Sequence, residues 1–327
     1  MKAQTFAAAA PQSPVFRLRL PGEFGWIWIA TAALFAISAI VAPGTVRPAS
    51  LSAMLPFAAM LAIVAAGQTI VIQQRGLDLS CAAMMSLGGV VVAKLGFAAD
   101  SMLLAVAGTV AVAALCGSLN GLLVARLNIM PIVATLAMNA VLLGAVNMLS
   151  RGTPLAVPDA LESFSHRDVL GVPWTLVLSL GFLLSIAVIS ARTLIGRRFV
   201  AVGANPRAAR AAGMPVLAYQ VGTYGAAAVC FAVAGMLYAG FIGSASQNAG
   251  TDFLLPGIAA VVVGGTPFSG GRGSVIASGV AAVFMTQLGI LVMALGAGSA
   301  VQLLIQALVI IAATAVRELP GILRRKA

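Results

Sequence analysis

The chain holds few side chains able to do covalent chemistry: three cysteines, one histidine and eight acids in 327 residues. Nucleophilic catalysis needs a base beside its nucleophile, most often a histidine. The only histidine, His166, stands among Glu162, Arg167 and Asp168 in a polar stretch and reads as a solvated loop residue. Cys81, Cys116 and Cys230 lie inside or at the edge of apolar runs, without His or carboxylate neighbours at metal spacing. Their odd number also argues against a disulfide framework. The glycine-rich stretch GGTPFSGGRG at 264–273 lacks the Lys that a phosphate loop uses on a terminal phosphate. No enzyme active site, metal or cofactor is expected.

What the apolar runs do contain is neutral: Gln68, Thr69, Gln73, Asn120, Asn139, Asn147, Thr286, Gln287, Gln302 and Gln306. Carriers coupled to protons or ions place carboxylates, His or Lys at membrane depth. Neutral amides instead can bond a neutral polyhydroxyl solute briefly, or simply bond helix to helix. Their company argues against an ionic cargo and against ion coupling, so energy must come from a separate chain.

The elements that carry these amides are membrane helices. Hydrophobic residues make up 61% of the chain, charged ones 8%, and mean hydropathy is +1.06. Ten apolar stretches are read at 26–42, 51–73, 81–97, 102–125, 129–149, 174–191, 218–240, 253–267, 274–295 and 299–316. The eighth is short and carries Pro256, Gly257, Gly264 and Gly265, so it is expected to be a broken span buried in protein. The first apolar run is long for a signal sequence and Val41-Ala42-Pro43 is a poor cleavage site, which favours an uncleaved helix. Fold class is therefore all-α, a polytopic bundle of about ten spans. A tail at 1–23 precedes a transmembrane domain at 24–317, and a basic tail follows at 318–327.

Of the 19 Lys and Arg, only Arg47, Lys94, Arg151 and Arg167 fall on one side of this bundle. The other side holds the remainder, including Lys2, Arg17, Arg19, Arg75, Arg126, Arg272, Arg317, Arg324, Arg325 and Lys326, and is read as cytoplasmic. Both termini then lie in the cytoplasm. The net charge of +11 reflects anionic lipid at the membrane surface rather than nucleic acid.

One cytoplasmic loop, 192–217, holds Arg192, Arg197, Arg198, Arg207 and Arg210 and no acid. Asn205 is a good N-cap, Pro206 suits a first helical turn, Ala208, Ala209, Ala211 and Ala212 are strong helix formers, and Gly213 and Pro215 end the helix. A helix of about two turns, roughly 10 Å long, is predicted. It lacks a large apolar stripe for lipid. Its small side chains suit insertion into another protein.

These residues resemble a known family, the permease subunits of bacterial ATP-binding-cassette importers of the ribose/xylose/arabinose type. The resemblance runs from the second span onward. It is carried by Gly76-Leu77-Asp78-Leu79-Ser80, Asn120-Gly121 and Pro131-Ile132-Val133-Ala134-Thr135-Leu136. The loop from Gly196-Arg197 to Gly213 follows, then Ile258-Ala259-Ala260-Val261-Val262-Val263-Gly264-Gly265-Thr266 and Gly270-Gly271-Arg272-Gly273-Ser274. The resemblance implies a cytoplasmic ATPase, a periplasmic sugar-binding protein, a second permease copy or paralogue, and residence in the inner membrane. It makes Gly196, Arg197, Arg198, Gly203, Asn205, Pro206, Ala208, Ala209 and Gly213 the ATPase-coupling loop. Gln68, Gly76, Asp78, Ser80, Asn120, Asn139, Gly264 and Gly265 become candidates for the pathway or its gate. Asp78 has two readings: a helix cap with Ser80, or a gate pair with Arg75 or Arg272.

Two stretches depart from the family pattern. Phe253-Leu254-Leu255-Pro256 stands where many members carry an acidic pair, and Leu143-Gly144-Ala145 where many carry Arg-Gly. Ribose itself is therefore not implied over other pentoses, hexoses, deoxysugars, polyols or a signalling furanone. A branched-chain amino acid or nucleoside permease, and an ATP-independent carrier or channel, are the alternatives.

Overall fold

The computed structural model describes residues 24–98 and 101–326, with side chains to Ala315. The tails expected at 1–23 and 318–327, and Asp100, lie outside the described side chains. Apolar helices occupy all ten expected places: α1 (Trp26–Val41), α2 (Pro48–Gln73), α3 (Cys81–Ala98), α4 (Met102–Ala125) and α5 (Pro131–Ser150) in the first half. A covering loop follows, made of β1 (Leu155–Ala156), α6 (Asp159–Ser165) and the hairpin β2 (Asp168–Val169) with β3 (Val172–Pro173). Beyond it come α7 (Trp174–Arg192), α8 (Leu194–Ala204), α9 (Pro206–Ala211) and α10 (Val216–Ile242). Then β4 (Ser244–Ala245), α11 (Thr251–Val263), α12 (Val275–Ala294) and α13 (Ser299–Lys326) complete the described chain.

Seven of these helices are long and apolar enough to cross a membrane. The apolar stretches Trp26–Val41, Thr251–Val263 and Ser299–Ala315 are shorter. At 1.5 Å per residue they fall short of the ~30 Å hydrocarbon. The eighth expected span also differs from its reading. It is one unbroken helix, α11, with Pro256 inside it, and the chain breaks only at the glycines that follow. Packing of α11 on α2 and α12 holds the helix through the proline's missing donor.

Burial follows composition. α2 is apolar all round and lies almost wholly inside, packed on α7, α10, α11 and α12. α10 is its counterpart, against α2, α3 and α4. The outer helices α4, α5 and α7 turn Leu103, Leu115, Leu136, Val141 and Leu184 outward, a surface suited to lipid. Because lipid offers no hydrophobic drive between helices, membrane interfaces rely on small residues that let backbones touch. A Cβ on Gly235 of α10 would run into the Met85 carbonyl of α3, and one on Gly88 would lie 2.7 Å from the Ala232 Cα. Gly117 of α4 meets the Tyr224 carbonyl in the same way.

Away from the basic loop, the two short strand pairs tie the covering segment down. β1 pairs with β4 antiparallel, Leu155 opposite Ala245. His166 is exposed at its edge but stacks on Phe241 at the end of α10, ring centroids 4.9 Å apart.

Close packing at α10 yields an expectation. Gly235→Ala should lower the stability of the detergent-solubilised protein by roughly 1–3 kcal/mol, the usual cost of overpacking. Gly144→Ala in α5 meets nothing within 4 Å and should be neutral or slightly stabilising, given the better helix propensity of Ala. Thermal unfolding of the two variants side by side checks the contrast.

Candidate functional site

The basic loop folds as two helices, where the sequence announced one. Thr193 starts α8: its Oγ1 accepts from the Gly196 N–H at 3.1 Å. Asn205 then caps α9 as its residue type predicts, its Oδ1 accepting from the N–H groups of Arg207 at 3.2 Å and Ala208 at 3.1 Å. Gly213 ends it with φ +76°, and the Met214 N–H returns to the Ala209 carbonyl.

The faces of this loop sort the residues assigned to it. Arg197, Arg198, Arg207, Ala208, Arg210 and Gly213 are exposed. Ala209 is turned inward, packed with Val202 and Val216. Gly196 and Gly203 are buried too, and a Cβ on either would strike backbone, at Ile189 and Ser190 for the first and at Gln73 for the second. These three residues set the loop's seat on the bundle, while its outer contact surface belongs to the exposed set.

That seat is a junction of three chain segments. The Arg75 Nε donates to the Gly203 carbonyl at 2.9 Å, and its Nη2 donates to the Ala204 carbonyl. Gln74 Nε2 donates to the Phe199 carbonyl at 2.7 Å. The Gly271 N–H donates to the Gln73 carbonyl at 2.8 Å. One arginine thus caps the carboxyl end of α8, where unpaired carbonyls favour a cation. Arg75 itself has φ +64°, a conformation unusual for a side chain of its size. Gly270 and Gly271 also have positive φ, and side chains there would hit Arg75 and Ala204.

Next to this junction, the turn between α2 and α3 gathers four of the residues proposed for the pathway. Gln68 Nε2 donates to the Asp78 carbonyl at 2.6 Å. Asp78 Oδ1 accepts from Ser80 N–H at 2.9 Å and from Ser80 Oγ at 2.5 Å. Asn120 Nδ2 of α4 donates to Ser80 Oγ at 2.9 Å. Gln68, Asp78 and Asn120 are 0% exposed and Ser80 1%. They form a closed knot inside the bundle. Gly76 lies beside them because a Cβ there would collide with the Tyr224 hydroxyl. From α5, Thr135 Oγ1 accepts from the Leu79 N–H at 3.0 Å and Asn139 Oδ1 from the Ala83 N–H at 3.3 Å. Asn139, only half-buried, is the member nearest an open face.

Of the two readings of Asp78, the bond to Ser80 forms and the pair with Arg75 does not, since that guanidinium is taken by the α8 carbonyls. Asp78 Oδ2 is buried and accepts nothing. Burial lifts its carboxyl from the ordinary 3.8 to about 6, against the downward pull of the two Ser80 hydrogen bonds. Gly264 and Gly265 stand apart from this knot. Gly264 lets the end of α11 pass the start of α12, 2.9 Å from the Ser278 Cα if a Cβ were added, and Gly265 takes φ +101°. Of the other neutral polar groups, Gln287 reaches Thr45 at 3.4 Å, and the Thr69 hydroxyl donates to Ser278 Oγ at 2.8 Å. The three cysteines are free.

α8, Gln74 and the Arg75 clamp escaped the sequence reading. A local signal for α8 existed in Thr193 three residues before Gly196, an N-cap spacing. Arg75 carried no local signal, because its partners lie 128 and 129 positions away.

Comparison with known proteins places this geometry in context. The family model described as branched-chain amino acid transport system / permease component matches residues 50–314. The ribose import permease protein RbsC of Escherichia coli K12 is 31% identical over 88% of this chain and 91% of its own length. The autoinducer 2 import system permease protein LsrD of the same strain is 33% identical over 80% of this chain and 83% of its own. No solved structure matches.

The buried carboxyl leads to a pH test. A carboxylate raised above its unfolded value stabilises the fold only while protonated, so that stabilisation is complete below 3.8 and lost as pH rises to about 6. Asp78→Asn keeps the Oδ1 acceptor for Ser80 and removes the titration. The wild-type midpoint of thermal unfolding should fall between about pH 4 and pH 6 by more than that of Asp78→Asn, and at pH 7 the variant should be at least as stable. Asp78→Ala, which strips the Ser80 N–H of its acceptor, should cost about 1–3 kcal/mol.

Proposed function

The chain belongs to the family of branched-chain amino acid transport system / permease components, and from that premise we propose that it is the membrane-spanning permease subunit of an ATP-driven importer of a monosaccharide or related neutral polyhydroxyl solute. Two relatives, named for import of ribose and of autoinducer 2, support a sugar-like cargo. The neutral amides of its helices agree, because a zwitterionic amino acid asks for charge of both signs along its path, and Asp78 is sealed in a knot. ATP hydrolysis belongs to a separate cytoplasmic ATPase. A periplasmic sugar-binding protein delivers the solute, and a second permease, copy or paralogue, completes the path. In this reading ten segments lie in the inner membrane, the three short ones included, and the charge bias puts the α8–α9 loop in the cytoplasm.

The observation that carries the reading is the α8–α9 seat: a precapped helix presenting Arg207, Ala208 and Arg210 outward while Arg75 locks α8 to the end of the most buried helix, α2. Closure of the ATPase on ATP displaces α9, α8 moves with it, and the Arg75 and Gly271 bonds pass the displacement to α2. Arg197 and Arg198 hold the loop at the lipid surface. Along the path, Asn139 is the solute-facing candidate, and Gln68, Asp78, Ser80 and Asn120 fix the turn that gates it.

Two measurements test this. A cysteine at Ala208, which is exposed, should crosslink to a co-expressed cognate ATPase, whereas one at buried Ala209 should crosslink poorly. Equal absence at both positions removes the coupling role. Arg75→Gln should leave the ATPase bound but reduce solute uptake about tenfold or more, one charge-assisted hydrogen bond being worth ~1.5 kcal/mol or above. Uptake that persists without the ATPase would instead favour an independent carrier.

A further inference from the structure

Around α2 the neighbouring helices form an almost closed ring. α7 touches α12, α12 touches α11, α11 touches α3, and α3 touches α10. Between α10 and α7 the ring stays open, and the gap is an apolar groove of about 730 Å³. Its walls are the carboxyl half of α7, with Ile186 and Ile189, and the amino half of α10, with Gly222 and Ala226. Ile195 and Phe199 of α8 close one end. That volume is in the range of sites that enclose a small ligand, yet the lining is nearly all hydrocarbon. Its few hydroxyls include Thr223, which donates to the Tyr219 carbonyl of its own helix.

We propose that this groove binds one acyl chain of an anionic phospholipid, with the phosphate held by Arg192 and Arg198. The site is at membrane depth and open at the side, so a lipid reaches it directly. Its closed end coincides with the arginine cluster. Arg192 stands three positions after the lining residue Ile189 and Arg198 three after the lining residue Ile195, the spacing of helix neighbours, and both are exposed. No acid occurs in the sequence from 169 to 251, so nothing on these segments repels a phosphate. A second permease is the less fitting occupant. α5 and α13, which pack outside α3 and α11, present their apolar faces on the far side of α2 from the groove. Tyr219, lining the groove near its arginine end, has the amphipathic ring that suits the headgroup level.

The groove can be filled without disturbing the fold. Gly222 faces open space, with nothing within 4 Å of an added Cβ. The experiment is native mass spectrometry of the full-length purified permease, given phosphatidylglycerol or phosphatidylcholine of the same acyl composition. The wild-type chain is expected to retain one phosphatidylglycerol molecule preferentially, and Gly222→Phe to lose it with an unchanged unfolding midpoint. Arg192→Gln and Arg198→Gln should keep an acyl chain but lose headgroup preference by about fivefold each, the attraction of one basic residue for an anionic surface. Equal retention by Gly222→Phe and wild type overturns the proposal. So does a wild-type chain indifferent to headgroup, and so does a disulfide between two permeases through Gly222→Cys, which would give the groove to a second copy.

Discussion

The bundle depends on backbone meeting backbone. In lipid, apolar side chains gain nothing by leaving one apolar neighbour for another, so helix association rests on contact distance and on polar bonds. α10 supplies that contact with Gly235 against the Met85 carbonyl and Ala232 against Gly88, and Gly117 brings α4 onto the same helix. With α10 and α2 so enclosed, the outer helices are left to face lipid, and polar side chains become available for other work. They are spent where the helices end.

Those ends are where the candidate site lies. The turn after α2 has lost helical bonding and still lies inside protein, so its N–H and C=O groups need partners. Gln68 takes the Asp78 carbonyl, Thr135 the Leu79 N–H and the Gly271 N–H the Gln73 carbonyl, while Arg75 of the same turn serves the carbonyls that end α8. The junction that satisfies the end of α2 also holds the α8–α9 segment proposed to meet the ATPase.

The sequence made local features legible. Each apolar run became a helix, and most edges agree within about three residues, because hydrophobic length and end signals such as Asn205 act locally. Asn205 was readable as a cap since its partners are two and three residues on. Asn139 was not readable as the partner of Ala83, which lies 56 residues earlier. Asp78 read as a helix cap or a gate partner by its place before α3. Its complete burial follows from α4 and α10 closing over it, which no local pattern encodes. Pro256 and its glycines read as a break in a span, whereas packing kept the helix whole up to Val263.

The pairing of β1 with β4 has a mechanical corollary. It joins the chain leaving α5 to the chain leaving α10, and α6 with His166 lies over the same rim. Sliding α5 lengthwise along α10 would tear that antiparallel ladder, so the two helices are pinned together at one extremity like the legs of a compass. Angular splay about that rivet is the freedom left to them, and its arc is widest at the opposite extremity, where the arginine-rich loop sits.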